Sequence, residues 1–107
     1  MKIYRHGDIL LKAVKQENLQ LKSLGRFDKY VLAEGEITGH KHLLVAEPQT
    51  SFEILEDEKG QKYLKLNNQA ELTHEEHKTI TIMPDLYVIG NEREFSYEDL
   101  ELRKVQD

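Results

Sequence analysis

Phe52-Glu53-Ile54-Leu55-Glu56 and Lys62-Tyr63-Leu64-Lys65-Leu66 stand on either side of Asp57-Glu58-Lys59-Gly60-Gln61, and this arrangement decides the class of fold. Both flanks carry the aromatic and branched residues that suit a pleated, half-buried strand. The intervening glycine suits the left-handed position of a hairpin loop. The reading is therefore a β-hairpin.

Working outward, the same grammar recurs. Upstream, Ile9-Leu10-Leu11 and Val14 follow the turn-like Gly7-Asp8, giving a strand from about Asp8 to Val14, with Ile3-Tyr4 as a strand that this turn could end. Leu19, Leu21 and Leu24 fit neither a helical nor a strand period, so Lys15 to Arg26 reads as loop with at most a helical turn. Phe27 to Ile37 reads as extended, with Gly35 marking a bulge or a close backbone approach, and His42 to Glu47 as a strand ended by Pro48. Downstream, a short strand near Ala70 to Leu72 precedes Thr79 to Met83. Leu86 to Ile89 resumes after Pro84-Asp85, which implies a second hairpin or a corner. The segment from Ser96 to Leu102 begins with a helix-start signal, so about residues 97–107 read as a helical or frayed tail, or as an added edge strand. About seven or eight short strands with little helix need two facing layers, which predicts an all-β or mostly β single domain over 1–107, a small barrel or sandwich.

Composition narrows the function classes. The chain has 107 residues, 15 basic and 20 acidic, for a formal charge of −5, which argues against a broad electrostatic grip on nucleic acid. With no cysteine, disulfides and thiolate ligands are excluded, so any metal must be held by imidazole, carboxylate or water. No window approaches a signal-peptide core or a membrane span; a cytoplasmic location with no membrane partner is the expectation by elimination.

Four of the five histidines fall in two pairs, His40-Lys41-His42 and His74-Glu75-Glu76-His77. On a strand, alternate side chains leave the same face, so His40 and His42 make a chelating fragment, with Glu36 on that face if Gly39 does not break the parity. Thr73-His74-Glu75-Glu76-His77 has the form of a capping box, and one capped helical turn would set His74 and His77 side by side. This spacing is not that of the zinc proteases, which need histidines four apart. A single histidine is ordinarily a surface or hydrogen-bonding residue; it is the pairing that points to a metal. The expected ligands are His40, His42, His74 and His77, holding a divalent ion, with zinc foremost and iron, manganese or nickel as alternatives. Glu36, Glu47, Glu75 and Glu76 are candidates to complete or orient the site. His6-Gly7-Asp8 reads first as a turn with Asp8 bonding amides, and second as a further ligand or general acid and base through His6. Tyr87, Arg93, Glu94 and Phe95 read first as strand faces and surface charge, and second as pocket lining.

Together, His6-Gly7-Asp8-Ile9-Leu10-Leu11, Leu32-Ala33-Glu34-Gly35-Glu36-Ile37-Thr38-Gly39-His40-Lys41-His42, Leu72-Thr73-His74-Glu75-Glu76-His77 and Asn91-Glu92-Arg93-Glu94-Phe95 resemble a small family of uncharacterised bacterial and phage proteins. That likeness spans most of the chain and implies a shared unit, with little chemistry attached. A partial likeness to cupins rests on Gly35, His40, His42 and Glu47 in order, although Gly35 stands one residue too close to His40 and the second cupin motif is absent at Pro84-Asp85-Leu86. It implies a small β-barrel carrying a histidine site.

The functional expectation is a divalent-metal protein, with catalytic candidates Glu36, Glu75, Glu76 and His6 and metal-assisted hydrolysis of a small phosphorylated or nucleotide-like substrate as the reaction class. The alternative is a non-enzymatic binding or assembly module, a homo-oligomer whose histidines line a small-molecule pocket or an interface.

Overall fold

The computed structural model describes residues 2–7, 9–17, 19–34 and 41–91. Among these, ten strands form: β1 (Ile3–His6), β2 (Ile9–Ala13), β3 (Lys22–Phe27), β4 (Lys29–Glu34), β5 (Lys41–Ala46), β6 (Phe52–Glu56), β7 (Lys62–Leu66), β8 (Ala70–Thr73), β9 (Ile80–Ile82) and β10 (Asp85–Asn91). They build two antiparallel sheets, one of six strands in the order β1-β2-β10-β7-β6-β3 and one of four in the order β4-β5-β8-β9. The fold is all-β. Among the described residues no helix is long and apolar enough to cross a membrane.

Strand alternation explains how the sheets close on each other. Ile9 and Leu11 of β2, Phe52 and Ile54 of β6, Leu64 and Leu66 of β7, and Tyr87 and Ile89 of β10 form one buried cluster with Leu44 of β5, Ala70 and Leu72 of β8 and Ile82 of β9. The core thus draws on both sheets, as a two-layer β fold requires. Residues of opposite parity, Leu55, Tyr63 and Leu86, form a second cluster with Val14, Leu19, Leu21 and Val88. The connection from β2 to β3 therefore straps the outer face of the large sheet.

The β6–β7 hairpin forms as expected, with Glu56 opposite Lys62 and Gly60 at φ +85°. One loop assignment and the strand count differ from the sequence reading. Lys22 to Arg26, read as loop, forms with Phe27 an edge strand on β6; its register slips between Ser23 and Gly25, and this irregularity hides the alternation. This strand and β1 bring the total to ten rather than seven or eight. In β4 the register shift falls between Val31 and Ala33. Of the two alternatives read at Pro84-Asp85, a hairpin or a corner, the corner forms, because β9 pairs with β8 in one sheet while β10 pairs with β2 and β7 in the other. Met83 is pinned there: its amide donates to the Tyr4 hydroxyl, and its carbonyl accepts from the Tyr87 hydroxyl. Tyr87, fully buried, is a core residue. The expected bulge at Gly35, Arg93, Glu94, Phe95 and the tail lie outside the described residues.

Candidate functional site

Antiparallel pairing of β5 with β8 starts the site. Leu43 pairs with Thr73 and Leu44 with Leu72, and one step further in that register sets His42 opposite His74. Directly opposed side chains on a sheet stand within contact range. The two rings lie 4.5 Å apart between centroids. His42 faces inward on the same side of β5 as Leu44 and is 2% exposed.

The second pair follows from the bend after β8. Thr73 does not cap a helical turn, because it is held in β8 and its hydroxyl donates to the Leu43 carbonyl. The capping acceptor is instead His74, whose Nδ1 takes the Glu76 amide at 3.0 Å. This tight bend still brings His74 and His77 together, at 4.5 Å between centroids. Glu75 closes the arrangement from outside, its Oε2 accepting the Lys41 amide at 2.9 Å and so tying the bend to the start of β5.

The fourth ring comes from the other sheet. His6 ends β1 and is 3% exposed; its Nε2 donates to the Lys78 carbonyl at 2.9 Å, and its Nδ1 lies 3.0 Å from His42 Nδ1. A neutral ring that donates through Nε2 presents a lone pair at Nδ1, so His42 supplies the proton in that contact. Gly7, at φ +62°, makes this approach possible: a Cβ there would stand 2.8 Å from His77 Nε2 and 2.9 Å from His42 Cε1. Burial pulls the His6 pKa below its ordinary value of 6.5; the Lys78 carbonyl opposes this, and the His77 and His74 charges reinforce it. The shift favours the neutral ring, the form that binds a metal.

All six pairwise separations among His6, His42, His74 and His77 lie between 4.5 and 6.2 Å. His6 and His42 are buried, His74 is half-buried and His77 is exposed, so the cluster runs from the space between the sheets out to solvent. As the rings stand, no three His, Asp or Glu side chains among the described residues form a set that could hold a metal ion. One ring nitrogen on each of His6 and His42 faces the other, and Nδ1 of His74 is engaged with an amide.

Of the four expected ligands, His42, His74 and His77 thus come together, while His40 lies outside the described residues, as does Glu36. His6, read first as part of a turn, is the fourth member of the cluster. Its signal was the strand parity that puts it on the inward face with Tyr4. Glu47 is exposed beyond the far end of β5 from His42, where its carbonyl holds Thr50, so it has no part in the cluster. The profile of the family described as a domain of unknown function, DUF8820, matches residues 5–92. No curated protein and no solved structure matches the chain.

Proposed function

Because the chain belongs to the DUF8820 family, whose description assigns no function, we propose its role from the site alone: it binds a divalent metal ion at the cluster of His6, His42, His74 and His77. The observation that carries this reading is the set of six ring separations, 4.5 to 6.2 Å. Imidazoles arranged tetrahedrally with nitrogens about 2.0–2.1 Å from a zinc ion have centroids about 5 Å apart. In the metal-bound form the ion takes the place of the proton between His6 Nδ1 and His42 Nδ1, and the rings turn from their present orientations, which among the described residues form no set that could hold an ion. The hold of the Lys78 carbonyl on His6 Nε2 is the outer contact that orients a ligating histidine.

All-imidazole donors suit zinc, with iron and nickel next and manganese least. Exposure of His77 gives a small solute a route to the ion. Metal-assisted hydrolysis of a small phosphorylated substrate is the reaction class that such a site supports.

Elemental analysis of the full chain by mass spectrometry, before and after chelation and zinc reloading, tests the reading. About one ion per chain is expected, and none in a His42→Ala/His77→Ala variant. Chelated wild type that takes up no zinc, nickel or cobalt would overturn it.

One observation favours a second reading, a purely hydrogen-bonded cluster in a binding module: no buried side-chain nitrogen or oxygen among the described residues lacks a partner. A melting temperature indifferent to both chelator and added metal would select it.

A further inference from the structure

β1 ends the six-stranded sheet and β9 ends the four-stranded one, so among the described residues no backbone ladder joins the two. Side chains bridge this seam instead. Lys2, Tyr4 and His6 alternate along the chain and so share a face. Lys2 Nζ donates to the Pro84 carbonyl at 3.3 Å, the Tyr4 hydroxyl accepts the Met83 amide at 3.2 Å, and His6 Nε2 donates to the Lys78 carbonyl at 2.9 Å. All three partners lie in the stretch 78–84 that contains β9. The seam bears directly on the cluster. His6 and His42 are 3% and 2% exposed, and their Nδ1 atoms face each other at 3.0 Å. An ion comes between these rings only when they part. His42 is the fixed member, since β5 runs between β4 and β8 and Leu44 beside it is locked in the core. His6 ends a four-residue edge strand whose ladder is with β2 alone among the described residues. Such weakly held elements open before the core does.

Resting on the metal-site reading, we propose that β1 is the gate through which the ion enters and leaves the cluster, with the Tyr4 hydroxyl as its main clasp. Tyr4 is half-buried, and its ring packs edge-on against Tyr87 at 5.8 Å between centroids. Lys2 is the weaker clasp, because its ammonium is exposed and shared with the Asp85 carboxylate at 3.4 Å. Neither clasp touches the ion, so loosening one raises the population of the open gate with and without metal alike. A change that acts equally on both states leaves their equilibrium where it was. Uptake and release therefore quicken together, and the Kd stays the same.

The decisive variant is Tyr4→Phe, which removes the hydroxyl and keeps the ring. Cobalt(II) is the probe, followed by its visible absorption in the full chain: uptake on rapid mixing, release into excess EDTA, and Kd by titration. Tyr4→Phe should speed both uptake and release about fivefold, the weight of one hydrogen bond, with Kd within about twofold of wild type. Lys2→Met should speed both about twofold. Asp57→Asn, which loosens the β6–β7 hairpin and leaves the seam intact, should exchange cobalt at the wild-type rate. Hydrogen exchange of the β1 amides reports the gate directly and should also be faster in Tyr4→Phe. Faster amide exchange with unchanged cobalt rates means that the ion passes by the His77 side, and overturns the proposal. So does a weakened Kd with unchanged uptake, which makes Tyr4 a residue that positions His6 without gating, and so does amide exchange that Tyr4→Phe leaves unaltered. Wild type that takes up no cobalt instead defeats the underlying metal reading.

Discussion

At the scale of single residues, Gly7 and Gly60 form a matched pair that separates backbone strain from crowding. Both have positive φ, +62° and +85°, yet a Cβ on Gly60 meets nothing within 4 Å whereas one on Gly7 meets His77 and His42 below 3 Å. Either alanine substitution costs about 1–2 kcal/mol from the left-handed backbone alone. His77, exposed, can move aside; His42, packed beside the core, cannot. Gly7→Ala should therefore weaken zinc binding as well as stability, and Gly60→Ala should lower stability alone. Calorimetric zinc titration of both variants checks this, and equal zinc affinity in the two would contradict the crowding argument. The same residues show what the sequence could reveal of the site. His42, His74 and His77 were legible from spacing. The place of His6 was not, because a histidine before Gly-Asp reads locally as a turn and its contact with His42 spans 36 positions.

At the scale of elements, the β6–β7 hairpin is organised by one carboxylate. Asp57 Oδ1 accepts the Lys59 and Gln61 amides at 2.8 and 3.0 Å, and Oδ2 accepts the Tyr63 hydroxyl. Burial pushes the Asp57 pKa upward, but the bonds from Gln61, Lys59 and Tyr63 outweigh it and hold the group below its ordinary 3.8. A depressed carboxylate stabilises the fold fully above its unfolded pKa and loses that contribution as pH falls through the folded value. Asp57→Asn should lower the urea midpoint at pH 7, with the gap to wild type closing below about pH 3.8. A gap independent of pH would show that the charge of Asp57 is immaterial. This hairpin was readable because its signals are local: two strand-like flanks and a glycine loop. The edge strand β3 was not, since its register shift breaks the alternation on which such a reading rests. Pro84-Asp85 announced a change of direction, but whether β9 and β10 share a sheet depends on long-range partners that no local pattern specifies.

For the whole molecule, β5 links the core to the cluster, because His42 and Leu44 leave the strand on one side and Leu44 belongs to the shared core. His6 belongs to the six-stranded sheet, and His42 to the four-stranded sheet. An ion held by both would therefore staple the sheets together and exist only in the folded chain. A ligand that binds the folded state alone adds about 2.7 kcal/mol of stability at one hundred times its Kd. Ile54→Ala provides the counterweight: Ile54 is fully buried in the core between the sheets, and truncating it should cost about 2–5 kcal/mol. Zinc at that excess should thus recover a substantial part of the Ile54→Ala loss, while leaving Ile54→Ala combined with His42→Ala and His77→Ala unchanged. Urea unfolding with and without zinc measures all of these. If zinc is bound yet the midpoint of Ile54→Ala stays put, the unfolded chain binds the ion equally well through its local His74-x-x-His77 segment, and the staple between the sheets does not exist.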